Sequence, residues 1–576
     1  MARRVVVYHW IMTMHENQGL QSREPRTFAF PHDRSLGSLY IHDRTKRTAD
    51  VDNALYLFED LDRWQPYGQA TGLVVIPPET DVYLITGQSF GESSSKTIEW
   101  LNRQSSSVDV FHCANDSIDL VTIPSMIREL ELYQCALPSG LDLEHMNQVT
   151  RFQVQIVDLK PDALRQSKLP STLTHLHVED CGLTDAQVAE LPCLSQLEML
   201  ELPNNRLSGE FLTTLRHAPR LAHLNLGWNP LTSDGLRALK GNDNLQTLIL
   251  LDAQLDGIAF DALSDLPNLT TLSLYETRLE HEHADMFSHL SAVTTLIMGG
   301  MRTIMWSAHL KALTRIPHLK EVRLQHTDVH DEDLAFFPHL HELETLDIGQ
   351  TAITGEGLKY IGQCSTLKGV DIADTRIDGT ELDALAGCVQ LQRLSVAGTA
   401  TEGRHLNFLS ALPHIRYLDL GRCPVRNVQA LHQLTYLQSL KLNGTTIGDA
   451  ALAVLAQVQA LRTLDVSETE VTDQGVAHLA ALRDLEDLSL RGTRITDTGL
   501  RIVCTLPRLR NLDISATQVT DEGIEVLAKC AHLHSLNIGA TNMTMSGANR
   551  LRELLPRCEI VPRLAINRAE MMPPQL

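Results

Sequence analysis

The sequence predicts an α/β solenoid, in which one short strand and one short helix recur along the chain. Three observations predict it. Blocks of 24 residues repeat, as LRTLDVSETEVTDQGVAHLAALRD from Leu461, LEDLSLRGTRITDTGLRIVCTLPR from Leu485 and LRNLDISATQVTDEGIEVLAKCAH from Leu509. Each block opens L-x-x-L-x-L, the alternation of a strand with one buried face. Each block then closes on apolar residues at helical spacing, such as Val476, Leu479 and Leu482. Leucine is heavily used while aromatics make up only 5% of 576 residues, which fits a core built from one side-chain type.

The elements follow in chain order. Residues 1–23 form an N-terminal segment. Arg3 and Arg4 precede a short apolar run that imitates a secretory leader, but His9 and Trp10 interrupt it and no A-x-A-like cleavage site follows. The expectation is a short buried strand in a cytoplasmic protein; export by an atypical leader is the competing reading. Residues 24–95 read as a small β-rich module that caps the first repeat. Its strands are expected at Arg26 to Phe30, Gly37 to His42, Gly72 to Ile76 and Val82 to Ile85. Asp43 to Asp50 reads as a polar loop.

The module ends on Gly87-Gln88-Ser89-Phe90-Gly91, a G-x-S-x-G string like that of a nucleophile elbow. A hydrolase would need an acid and a histidine on further strands of the same sheet, and only repeats follow. Ser89 is therefore read as part of a loop that Gly87 and Gly91 permit, and the chain as non-enzymatic.

Residues 96–550 hold the repeats, about 18 of them. Blocks begin at 173 and then every 24 residues, with one of 26 residues after 293, one of 22 after 415, and looser copies at Ile127, Val149 and near Val82 and Val108. Counting from the first leucine, position nine is Asn at 205 and 229, Cys at 135, 181 and 423, and Thr in ten blocks from Thr277 to Thr541. A small hydrogen-bonding side chain suits the point where the chain turns inward. Thr-Asp follows in many copies, Thr as a helix N-cap and Asp at the positive end of the helix dipole. Residues 551–576 supply a last helix, a closing strand and a tail, so that the open core is covered.

These blocks resemble the leucine-rich repeat family, in a 24-residue form with Thr at the Asn position that is common in large bacterial repeat proteins. The resemblance implies a horseshoe with a concave parallel β-sheet and convex helices. The strings Phe30-Pro31-His32-Asp33-Arg34-Ser35-Leu36-Gly37 and Trp64-Gln65-Pro66-Tyr67-Gly68 resemble a module found ahead of some bacterial repeat proteins. The resemblance also implies a protein-binding scaffold. A substrate-recruiting subunit or effector acting with a ubiquitin ligase is the rival, and it needs a docking element in the first hundred residues that the sequence does not display.

The leucines point inward, which leaves positions three, five, seven and eight for the concave face. Met199, Trp228, Ile249, Leu251, Tyr275 and Ile297 map there, and large apolar side chains on a solvated face point to a contact site. Trp306, in the 26-residue block, is a second candidate anchor. Position five then reads Arg323, Asp347, Asp371, Ser395, Asp419, Lys441 and Asp465. Aspartates alternating with neutral or basic residues read either as charge spacing between strands or as a track for a basic peptide.

His175, His177 and Glu179 lie on one strand face with Glu201 expected beside His177, but a full ligand set is missing, and His281-Glu282-His283 reads as a turn, so no metal is expected. No cofactor is expected either. The ten cysteines form no C-x-x-C and read as buried free thiols in a reducing compartment, with Cys364, Cys388 and Cys530 in one helix column. A net charge of −22 argues against a nucleic-acid partner, and no apolar run approaches the roughly 20 residues of a membrane span. The expected partner is a protein or peptide, basic in character, bound by a monomer or weak oligomer.

Overall fold

The structure is a computed structural model. It describes six strands between residues 26 and 114, scattered positions from 123 to 155, and residues 168–561 apart from 192, 254, 278–280, 301–306, 531 and 556–557. Ser89 and Trp306 lie outside the described residues, as do the N-terminal segment and the tail after 561. The chain divides into two compact units, Met1–Asn205 with His217–Leu221, and Arg206–Arg216 with Ala222–Leu576.

In the first unit Arg26–Ala29 pairs antiparallel with Leu73–Ile76, and Ser38–Asp43 pairs antiparallel with both Gln65–Gln69 and Thr80–Gly87. Thr80–Gly87 then pairs in parallel with Val110–Ala114, and the parallel ladder continues through Glu129–Tyr133, Arg151–Gln155, His175–Glu179 and Met199–Glu201. One strand thus belongs both to the antiparallel group and to the repeat sheet.

The second unit is the solenoid in its most regular form. Among the described residues, fifteen strands from His223–Asn225 to Glu559–Val561 run in parallel. Equivalent positions lie side by side, as Leu464 beside Leu488 and Leu488 beside Leu512. The leucine spacing explains this register. Leu464 and Val466, at positions four and six, are fully buried, while Thr463 and Asp465, which alternate with them, are half-buried on the other face. A slip of one residue would turn every leucine outward. Helices form the opposite side, some α, such as Asp497–Val503, and some 3-10, such as Gly403–Ala411. Packed helices need about 8–10 Å between axes and strands only about 4.8 Å, so the sheet takes the inner side of the curve.

After position five the chain turns, and the backbone ladder turns with it. The position-six N–H donates to the position-five carbonyl of the next repeat, as from Val466 to Ser489 at 3.0 Å. The position-eight N–H donates to the position-seven carbonyl, as from Glu468 to Arg491 at 2.7 Å. Between them the position-nine Thr hydroxyl donates back to the position-six carbonyl, as from Thr469 to Val466 at 2.6 Å.

Position eight is left-handed in all sixteen consecutive repeats that begin at 173. Glycine occupies it at 300, 398, 444 and 492, but the other twelve repeats place Asp180, Asn204, Trp228, Asp252, Glu276, His326, Gln350, Asp374, Arg422, Glu468, Ala516 and Ala540 there, at φ of 51 to 60°. Each non-glycine residue in that region costs roughly 1 kcal/mol or more. The fold accepts the cost because the turn delivers the position-eight N–H to the next repeat.

The Thr-Asp-x-Gly string works between repeats. Asp497 accepts the Thr520 N–H at 3.0 Å on one carboxylate oxygen and the Thr520 hydroxyl at 2.7 Å on the other. Thr520 in turn accepts the Glu522 N–H at 3.2 Å and so caps its own helical turn, as the sequence leads one to expect of Thr. A Cβ on Gly523 would lie 2.7 Å from that same Asp497 oxygen, so the glycine makes room for the neighbouring carboxylate. The grip recurs from Asp331 to Thr354, Asp449 to Thr472, Asp473 to Thr496 and Asp521 to Thr544. The aspartate therefore holds the next repeat's cap, a role beyond the expected one at its own helix dipole.

Cys135, Cys181, Cys193, Cys364, Cys388, Cys423 and Cys558 are buried free thiols. Burial pushes Cys364 up to about 12 and Cys388 up to about 11, which makes them unreactive. Cys530 departs from that reading: it forms a disulfide with Cys504, with 5.6 Å between Cα atoms. The partners sit at positions 20 and 22 of neighbouring repeats, a diagonal that matching single columns does not reveal. Among the described residues, no helix is long and apolar enough to cross a membrane.

Candidate partner-binding face

The strand-lined face of the second unit has an apolar stretch followed by a charged one. Trp228, Ile249, Leu251 and Tyr275 occupy the repeats at 221, 245 and 269 and are half-buried. The strands of these repeats are successive partners, so the four side chains fall on neighbouring ribs. Leu251 leans over Gly227, where a Cβ would lie 2.9 Å from it. Tyr275 leans over Gly299 in the same way, 3.0 Å from a Cβ there, with the Gln325 carboxamide oxygen at 3.0 Å on the other side. Two glycines at position seven thus let larger neighbours lie down on the sheet, each with one face against backbone and one toward solvent. Burial, then the charges of Glu276 and Asp347, raise the Tyr275 hydroxyl above its ordinary range, so the ring reaches the field of the charged stretch.

Two other apolar candidates lie differently. Ile297 is only 5% exposed and works as sheet packing. Met199 belongs to the first unit, where it is 8% exposed beside its strand partner His175.

The charged stretch begins at Arg323, 6% exposed, whose Nε donates to Glu321 on the same strand at 2.6 Å. Asp347, Asp371 and Asp419 follow, half-buried. Each also serves the backbone, because one carboxylate oxygen accepts the N–H two residues on, from Gly349 at 3.1 Å, Ala373 at 2.9 Å and Gly421 at 2.9 Å. Asn225, Asp465, Asp513 and Asn537 do the same for Gly227, Ser467, Ser515 and Gly539. The strand ladder ends at this point and the position-seven N–H needs another acceptor. Aspartate at position five is thus a turn cap as well as a surface charge, a role that neither charge spacing nor a ligand track contains.

The expected alternation of charge along position five fails at one place. Asp347 and Asp371 stand directly opposite each other on neighbouring strands. Burial raises the Asp347 carboxyl, against the opposing pull of the Gly349 N–H and Arg323. Burial, then Asp347, push Asp371 up to about 7. Further along, Tyr417 is flanked by the Arg393 guanidinium at 5.3 Å and the Lys441 ammonium at 5.5 Å from its ring centre, and its hydroxyl donates to Asp419 at 3.2 Å.

In the first unit His177, 3% exposed, is held between Glu201 at 2.9 Å and Glu179 at 3.3 Å. Burial lowers its pKa, and the two carboxylates outweigh burial and raise it. The cluster is one buried imidazole between two carboxylates, and among the described residues no group of His, Cys, Asp and Glu could hold a metal. His175 bonds the Thr174 hydroxyl at 2.7 Å. His281 to His283 open a 3-10 helix, His281–His289, where a turn is expected from sequence.

Comparison with known proteins gives a consistent fold. A family described as a leucine-rich repeat region matches residues 376–571, and a second leucine-rich repeat family matches 170–186, 218–240 and 339–362. Receptor-like protein 41 of Arabidopsis thaliana is 29% identical over 138 residues, 23% of this chain and 15% of that protein. Nephrocan of Mus musculus is 41% identical over 63 residues, 11% of this chain and 12% of that protein. The chain thus spans less than a sixth of the length of these curated relatives. Among solved structures, that of a TLR13–ssRNA13 complex aligns with a TM-score of 0.52 at 18% identity, over 73% of this chain and 67% of the other. An internalin from Listeria monocytogenes aligns with a TM-score of 0.38 at 20% identity, over 53% of this chain and 88% of the other.

Proposed function

This chain is a leucine-rich repeat protein, and from that premise we propose that it is a non-enzymatic scaffold holding a partner protein or peptide on its strand-lined face. The observation that carries the reading is the row of half-buried Trp228, Ile249, Leu251 and Tyr275 on neighbouring ribs, bordered by Asp347, Asp371 and Asp419. Aromatic side chains already packed on one face lose little freedom when a partner covers the other, which is the usual character of an anchor. The bordering carboxylates and the net charge of −22 favour a partner with basic side chains and disfavour a phosphate backbone. Arg323, tied to Glu321, sits where the two stretches meet.

Affinity capture from a lysate of the source organism tests the reading, with wild type beside a Trp228→Asn, Tyr275→Ser double variant. Asparagine suits the first site because Asn204 holds the same left-handed position two dozen residues earlier. Two anchors of about 2 kcal/mol each correspond to a loss of roughly 1,000-fold in affinity. The expected result is that partners retained by wild type are absent from the variant while its circular dichroism is unchanged. Equal capture by both would refute the apolar stretch as the anchor.

A further inference from the structure

Asp347 and Asp371 are the one pair of aspartates that stand next to each other along position five among the described repeats. We propose that they hold a single proton between them at neutral pH, and that this proton is a pH switch on the charge of the strand-lined face. The proton itself depends only on the geometry of the pair; its consequence for a partner rests on the reading of that face as the binding site.

The geometry leaves the two carboxylates little choice. A Cβ placed on Gly349 would lie 3.5 Å from Oδ1 of Asp347 and 3.5 Å from Oδ1 of Asp371, so both oxygens face one small region. Each of those oxygens is tied down by a backbone N–H, from Gly349 and Ala373, so neither side chain can swing away without uncapping its turn. The charges around the pair have partners of their own. Arg323 is bound to Glu321 at 2.6 Å, and Lys368 to Glu344 at 2.8 Å. Arg393 lies over the Tyr417 ring, Asp374 is bound by Arg422 at 2.8 Å, and Asp419 faces Lys441 at 3.8 Å. Tyr275 is neutral at these pH values, with its hydroxyl held above the ordinary range. Glu321, Arg323, Asp347 and Asp371 together would carry two net negative charges on a half-buried surface. Like charges directly opposite on neighbouring strands repel, and partial burial removes the water that would screen them. One bound proton relieves both costs, and the upward displacement of Asp371 to about 7 agrees with that count.

The other aspartates of the row have no such need. Lys441 stands between Asp419 and Asp465, and Asp513 accepts the Asn537 amide at 3.0 Å. A basic side chain arriving above Gly349 would take the place of the proton and release it, so a cationic partner would bind more tightly as pH rises toward 7.

Infrared difference spectra of the full-length chain between pH 5 and pH 9 test this without any partner. Wild type is expected to show a protonated-carboxyl C=O band that disappears with a midpoint near 7. Asp371→Asn and Asp347→Asn are each expected to abolish the band above pH 6, while Asp465→Asn keeps it. Asparagine is compatible with the fold here, because Asn225 and Asn537 make the same cap at 3.0 Å in their own repeats. No such band in wild type above pH 6, or a band unchanged in both variants of the pair, would overturn the shared proton. Either outcome leaves the partner-binding proposal to its own test.

Discussion

At the scale of single residues, one position shows how far a repeat sequence can be read. The leucines at positions four and six disclose their role by spacing alone, because burying a strand face demands alternation. Leu464 and Val466 are fully buried as that spacing requires. Position eight discloses little. It is Gly in four repeats and Asp, Asn, Trp, Glu, His, Gln, Arg or Ala in the others, yet its backbone is left-handed in every one from 173 onward. In most of these repeats the conformation goes with the bond that the position-eight N–H makes to the next repeat, and the side chain varies. Ala516, at φ of 54°, has no polar side chain to soften the cost. Ala516→Gly is expected to stabilise the chain by about 1 kcal/mol, read as a higher denaturant midpoint at unchanged slope. Trp228 occupies the same kind of position, so a candidate anchor is also a strained turn residue.

At the scale of the repeat element, Thr-Asp-x-Gly is a connector between neighbours. Its Thr was legible as an N-cap from sequence, because that residue type ahead of an apolar run has few other uses. The reach of its Asp was not, since the string places Asp inside the helix that the same string begins. The destination is the Thr one repeat on, and the glycine is there because the preceding carboxylate fills its Cβ space. Asp497→Ala and Thr520→Val should each cost about 1 kcal/mol by leaving part-buried polar groups of the joint without their partner. Together they should cost clearly less than their sum, because both remove one contact. An additive double-mutant cycle would mean that the grip contributes no energy. The Cys504–Cys530 disulfide joins neighbouring repeats too, on a diagonal that comparing like positions does not detect.

At the scale of the whole molecule, the fold was legible and the site only in outline. A 24-residue period with one strand and one helix per block has a single economical solution, and the parallel ladder follows it. The apolar candidates were chosen by position number alone, and position number does not carry exposure. Ile297 is only 5% exposed between Ser273 and Arg323 of the adjoining strands, whereas Leu251 and Tyr275 stay half open against Gly227 and Gly299. The acidic row was legible as charge but not as a set of turn caps, since a capping bond two residues away leaves no mark in composition. What emerges is a rigid parallel sheet offering an apolar shelf beside carboxylates of which two compete for one proton.

Site-specific photo-crosslinking would show whether the partner lies on this shelf. A photoreactive residue would be placed at Leu251, on the shelf, or at Tyr436, which is 61% exposed on the loop after the 3-10 helix Gln429–Gln433. Each variant would be irradiated with the captured partner. A covalent adduct is expected from position 251 and none from position 436. An adduct from 436 with none from 251 would move the binding site off the strand-lined face.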